Sequence, residues 1–155
     1  MSRTLIYNGL QFIHVLMAIV AVGFNASYPI WLARAGRQPE HLSHVLRGIK
    51  TLDDRFANPA YGLLLLTGLG MVWAGRLPLS TFWIAAALGL YLVAILLGLL
   101  VYSPALRRQI EALESQGPQS AAFQAASGRA RTSGIVLSLV VVAIVFLMVV
   151  KPAPG

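Results

Sequence analysis

Four long apolar stretches alternate along the chain with shorter polar segments. They cover about residues 4–33, 58–74, 81–102 and 134–150. As helices rising about 1.5 Å per residue, these stretches can cross most or all of the roughly 30 Å hydrocarbon layer of a bilayer. The pattern therefore predicts four transmembrane helices. The predicted fold class is all-α: an integral membrane four-helix bundle in which residues 1–155 form a single transmembrane domain.

The polar segment between the first two spans, residues 38–56, has a helical period of its own. Its apolar positions recur every three or four residues: Leu42, Val45, Leu46, Ile49 and Leu52. Most of its charged and histidine side chains take the other faces. This pattern predicts a short amphipathic helix that lies on the membrane surface.

Composition agrees with a membrane protein. Hydrophobic residues make up 57% of the chain and charged residues 11%, whereas soluble domains carry about 25% charged residues. The chain has no cysteine, which excludes disulfides, iron–sulfur clusters and thiol catalysis. The net charge is +7, but no basic run with interleaved aromatics indicates nucleic acid. The lipid bilayer is therefore the expected partner of the basic residues.

The positive charges predict an orientation. Nine of the 12 Lys and Arg residues fall on one side of the four spans: Arg34, Arg37, Arg47, Lys50, Arg55, Arg107, Arg108, Arg129 and Arg131. Arg3, Arg76 and Lys151 fall on the other side. Because cytoplasmic loops carry the excess of Lys and Arg, both long connections are expected in the cytoplasm. We expect a multi-pass membrane protein with both termini outside the cytoplasm.

The first span carries a polar stripe, with the only ionisable side chain that lies well inside a span, His14. Helical rotation places one set of residues on the same face: Tyr7, Gln11, His14, Ala18, Ala21 and Asn25. Lipid cannot satisfy polar side chains, so this face is expected to meet protein or a cavity. We take His14, Gln11, Asn25 and Tyr7 as candidate cofactor-binding residues.

Three interpretations of His14 remain open from the residues alone. Neutral imidazole suits iron, so His14 could be a haem ligand, either as the single protein ligand or with Met71, Met148 or a residue of another chain as the second. It could instead serve a proton relay or a small-ligand site. The third interpretation is a packing histidine that is hydrogen-bonded to a neighbouring Tyr, Thr or backbone group.

Other candidate residues have weaker patterns. Lys151 could pair with haem propionates, although such a residue commonly anchors a helix end by reaching towards the interface. His41 and His44 are three residues apart, a spacing that can bind a metal, but only Glu40 is nearby as a third ligand. The expected role of that helix face is a solvated surface. No hydrolase triad, phosphate-binding loop or paired intramembrane carboxylate is present.

Three segments carry a resemblance to a known family. They are residues 12–16 (Phe-Ile-His-Val-Leu), residues 55–59 (Arg-Phe-Ala-Asn-Pro) with 66–69 (Leu-Thr-Gly-Leu), and residues 146–152 (Phe-Leu-Met-Val-Val-Lys-Pro). Most of the chain resembles an uncharacterised family of small bacterial four-helix integral membrane proteins with a domain of unknown function.

That family is distantly similar to the membrane part of copper-resistance D-like proteins and to the J-type protoporphyrinogen oxidase, a membrane protein associated with b-type haem. In both, the first helix carries a histidine. The resemblance therefore implies His14 as a metal ligand and haem b as the cofactor. The oxidase-like proteins also use a lysine, a role that is not transferred to Lys151. The additional His and Met residues expected for copper handling are absent.

The leading functional hypothesis is a haem-binding or redox-associated membrane protein with His14 as axial ligand. The alternative is a non-catalytic accessory or assembly subunit of a larger membrane complex, with no chemistry of its own. The expected partner besides the lipid bilayer is a second copy of the chain in a homo-oligomer or the larger membrane complex. A small transporter or channel is a third hypothesis. It ranks lowest because no polar stripe recurs in the other three spans.

Overall fold

Helices account for nearly all of the described chain. The computed structural model describes residues 2–153, and no strand occurs among them. Four continuous helices follow one another: α1 (Arg3–Ala35), α2 (Pro39–Gly75), α3 (Phe82–Gln116) and α4 (Ala121–Val150). By length and composition, all four are able to cross a membrane. The all-α fold class and the prediction of four helices able to span a membrane are confirmed.

Helices α2 and α3 each contain one π-helical turn. Helix α2 is α-helical over Pro39–Leu52 and Asn58–Gly75, with the π turn at Asp53–Ala57. Helix α3 is α-helical over Phe82–Leu97 and Ser103–Gln116, with the π turn at Gly98–Tyr102. The predicted amphipathic segment is therefore helical, and it continues into the second span without a break. Its location on the membrane surface stays a prediction.

Proline explains the position of both π turns. Pro59 and Pro104 follow the two turns at the second residue of the next α-helical part. Inside a regular helix, a proline ring clashes with the carbonyl four residues earlier and has no N–H to donate. A π turn widens the helix at that point, and the Asn58 N–H donates to the Asp53 carbonyl five residues back. Helix α2 therefore passes through Asn58 and Pro59 without a break.

The chain contacts divide into two compact units. The first contains the chain up to Tyr28 and Thr51–Thr81. In it, the first part of α1 runs antiparallel to the last part of α2. Small residues allow the two helices to approach: a Cβ added at Gly75 would lie 3.1 Å from the Tyr7 ring, and one at Gly70 would lie 3.0 Å from Leu10.

The second unit contains Pro29–Lys50 and the chain from Phe82 onwards. Its largest fully buried side chains are Leu46 and Leu106. The apolar face of the amphipathic segment is buried here at Leu42, Leu46 and Ile49. The part of α3 after its π turn packs against the beginning of α4, where Gln109 donates to the Ser127 hydroxyl at 3.2 Å. The prediction of one domain over residues 1–155 stays a prediction.

Candidate functional site

His14 lies in the first unit, where α1 packs against α2. Its Nδ1 atom is 2.9 Å from the Thr67 hydroxyl, and Thr67 is buried. A Cβ added at Gly68 would lie only 3.2 Å from Cε1 of the imidazole. The Thr67–Gly68 pair on α2 therefore supplies both the hydrogen-bond partner and the space for the half-buried ring.

The hydrogen bonds of Thr67 define the tautomer of His14. The Thr67 hydroxyl lies 2.7 Å from the Leu63 carbonyl oxygen and 3.2 Å from that of Leu64. Carbonyl oxygens only accept, so the single hydroxyl proton points towards them. Thr67 must then accept from His14, which places the imidazole proton on Nδ1. The lone pair of a neutral His14 is therefore on Nε2.

Asn25 lies on the same face of α1 but serves a separate contact. Its amide donates to the Tyr61 hydroxyl at 2.8 Å and to the Ala21 carbonyl at 3.0 Å. Asn25 is eleven residues from His14, or about 16 Å along a helix. The amide therefore joins α1 to α2 at a second polar contact and does not share the immediate environment of His14.

Tyr7 and Gln11, the other two polar residues of the predicted stripe, lie in different environments. The Tyr7 ring packs against Gly75, nearer the start of α1. Gln11 is exposed, so its amide does not belong to the packing between α1 and α2. The structure thus brings Tyr7, His14 and Asn25 to the face of α1 that meets α2, but not Gln11.

Lys151 lies in the second unit, directly after α4. It adopts a left-handed backbone conformation with φ of 49°, and its N–H donates to the Leu147 carbonyl at 3.0 Å. The ammonium group lies 5.3 Å from the centre of the Trp83 ring, within the range of a cation–π interaction. Lys151 therefore caps the C-terminal end of α4 and contacts an aromatic side chain. Its role towards a cofactor stays a prediction.

Asp53 was missed as a buried residue. Most charged side chains of residues 38–56 are expected away from the apolar face of that segment, but Asp53 is 5% exposed and lies in the π turn of α2. The Asn58 amide lies 3.5 Å from its carboxylate. The Asn58-Pro59 pair five residues later is the sequence signal that could have indicated this turn.

Arg47 pairs with a different carboxylate. Its guanidinium lies 2.7 Å from Glu114 on α3, and the Ser43 hydroxyl donates to the same carboxylate at 3.1 Å. The Arg47 hydrogen bond, with help from Ser43, holds the pKa of Glu114 below its usual value. This contact joins α2 to α3 within the second unit.

The chain with its four apolar helices matches one known protein family. Residues 8–152 match the model of a family described as predicted integral membrane protein, DUF2269. The chain belongs to this family. The match includes His14, Thr67 and Lys151. No curated protein and no solved structure matches the chain. The distant similarity to copper-resistance D-like proteins and protoporphyrinogen oxidase stays a prediction.

In this DUF2269 protein, the described residues provide no cluster of metal-binding side chains. Between residues 2 and 153, no three His, Asp or Glu side chains come together in a way that could hold a metal ion. His41 and His44 are exposed on α2, as expected for a solvated face. His14 could therefore act on a metal only as one ligand among others that a cofactor or another chain supplies.

Proposed function

We propose that this chain is a haem-binding, redox-associated membrane protein and that His14 is its axial ligand. The observation that supports this is the hydrogen bond between His14 and Thr67, which leaves the Nε2 lone pair for a metal. In proteins, a metal-bound histidine almost always donates its other ring N–H to a neighbouring acceptor. Thr67 provides such an acceptor inside an apolar helix.

The donor set fits haem better than a bare metal ion. A porphyrin supplies four nitrogen ligands of its own, so the protein needs to contribute only one or two axial ligands. His14 would hold the iron and Thr67 would orient the imidazole. When bound, haem would supply one-electron chemistry. Gln11 and Tyr7 stay candidate contacts of the cofactor, and the roles of Asn25 and Lys151 towards it stay predictions.

The test is a reduced-minus-oxidised visible spectrum of protein purified in mild detergent from haem-replete cells. We expect a b-type haem band in the wild type, its loss in His14→Ala, and its retention in His44→Ala, which removes an exposed histidine. Thr67→Val keeps His14 but removes its acceptor, and should weaken haem binding by about 10–100-fold. A wild type without a chromophore, or a band that survives His14→Ala, would overturn the proposal.

A second candidate function is a non-catalytic accessory or assembly subunit. The observation that favours it is the exposed amide of Gln11, eight residues into α1 from Arg3, or about 12 Å along a helix. Lipid cannot satisfy an amide at that depth, whereas a partner helix can. Gln11→Leu should then release a stoichiometric membrane partner, or a second copy, during purification. Unchanged retention of the partner would refute this role for Gln11.

The proposed location is the bacterial inner membrane, with both termini outside the cytoplasm. Nine of the 12 Lys and Arg residues lie on the side of the two long connections, which supports this orientation. An alkaline phosphatase fused after residue 153 should be active, and green fluorescent protein inserted at Gly117 should fluoresce. The reverse pattern would show the opposite orientation.

A further inference from the structure

A groove of about 570 Å³ lies in the second unit, between the part of α3 from Leu100 to Gln116 and the first turns of α4. Small side chains line its floor: Ala105, Ala112 and Ala126 are each at most 8% exposed. Because alanine carries only a methyl group, neither helix fills the space between them. The groove is thus a consequence of the alanine-rich sequence on both helices.

The two ends of the groove differ in polarity. Leu100 and Val101, which line one end, are 70% and 43% exposed and belong to the predicted third span. Ser115 and Gln116 line the other end, in the polar extension of α3. The groove therefore leads from the apolar span to polar groups beyond it.

Two arginines, one from each helix, line the groove. Arg108 on α3 and Arg129 on α4 both line the groove and are exposed. In the described part of the chain, neither guanidinium forms an ion pair with a carboxylate. Glu111 also lines the groove. With two arginines and one glutamate, the groove has a formal charge of +1. That charge matches one phosphodiester, which carries a single negative charge.

The predicted span ends place both arginines near the depth of lipid headgroups. Arg108 is six residues beyond the predicted end of the third span, and Arg129 is five residues before the predicted start of the fourth. These separations correspond to about 9 Å and about 7.5 Å along a helix. The headgroup region of each leaflet is roughly 5–8 Å thick, and an arginine side chain can reach back towards it.

We propose that this groove binds one anionic phospholipid. Arg108 and Arg129 hold its phosphodiester, for which the planar guanidinium is well suited. An acyl chain lies along Leu100 and Val101, and Ser115 and Gln116 can hydrogen-bond hydroxyls of the headgroup. A soluble phosphate compound would leave the apolar end of the groove unfilled, so we commit to a lipid as the occupant.

The first test uses native mass spectrometry and thermal unfolding of the full chain in detergent. Phosphatidylglycerol is compared with phosphatidylcholine of the same acyl chains. We expect one tightly bound phosphatidylglycerol in the wild type. The double variant Arg108→Gln with Arg129→Gln should weaken its binding by about 30-fold, since each basic residue near an anionic headgroup contributes about fivefold.

The matched control is Arg107→Gln with Arg131→Gln. It removes the same charge from exposed positions of the same two helices, but neither residue lines the groove. This control should bind phosphatidylglycerol like the wild type. Equal loss in both double variants would mean diffuse attraction and would overturn the proposal, as would equal binding of phosphatidylcholine by the wild type.

A second pair of variants tests shape without a change in charge. Ala125 and Ala121 are both exposed on α4, but only Ala125 lines the groove. Ala125→Phe should displace the lipid, whereas Ala121→Phe should not. The headgroup alone, glycerophosphoglycerol, should give no thermal shift at the same concentration. Stabilisation by it equal to that by the lipid would identify a soluble ligand and overturn the choice of a phospholipid. If Ala125→Phe fails to fold, the arginine variants decide.

Discussion

Gly68→Ala tests whether the imidazole of His14 packs closely against Gly68 of α2. Alanine gains about 0.5–1 kcal/mol over glycine in a helix interior. The new Cβ would lie 3.2 Å from Cε1 of His14, so the ring, held by Thr67, would have to move by a few tenths of an ångström. Such overpacking typically costs about 1–3 kcal/mol. The expected net effect is a destabilisation of roughly 0.5–2 kcal/mol.

Gly62→Ala is the matched control on the same helix. A Cβ added at Gly62 meets nothing within 4 Å, so this variant should keep only the gain in helix preference. The free energy of unfolding, measured by titrating SDS into mixed micelles and following circular dichroism, should differ between the two variants by about 1–3 kcal/mol. If Gly68→Ala is as stable as Gly62→Ala, the imidazole of His14 does not lie in close contact with Gly68, and the described packing of the site is wrong.

Two further predictions concern polar contacts in the two units. The pKa of Glu114 is lower in the folded protein, so the stabilisation from Arg47 should be complete above the usual pKa of about 4.5 and disappear as the pH falls through the lowered value. The Tm difference between wild type and Glu114→Gln should therefore shrink at acidic pH, whereas Glu111→Gln, which leaves the ion pair intact, should unfold like the wild type. A difference that is independent of pH would contradict this. For Asn25 and Tyr61, a double-mutant cycle with Asn25→Leu and Tyr61→Phe should show a coupling of about 0.6–1.7 kcal/mol, and strictly additive effects would argue against the hydrogen bond.

The candidate site was only half accessible to sequence reasoning. His14 was identifiable because an ionisable group inside an apolar span costs free energy unless protein surrounds it. Thr67 was not, because its contact with His14 joins residues 53 positions apart, and spacing along one helix does not indicate which residue of another helix lies opposite. The same limitation applied to Gln11, since the stripe that contains it is wider than the face that meets α2.

The sequence by itself determined that the chain forms four apolar helices and belongs to the membrane, because stretches of this length and composition have no stable place in water. The predicted end of the second span at residue 74 also lies within one residue of the end of α2 at Gly75. Only the tertiary structure decided that helix α2 continues through Pro59 and buries Asp53. The physical reason is that a proline starts a helix or widens one depending on whether the preceding turn is held in place, and packing partners elsewhere in the chain decide which occurs.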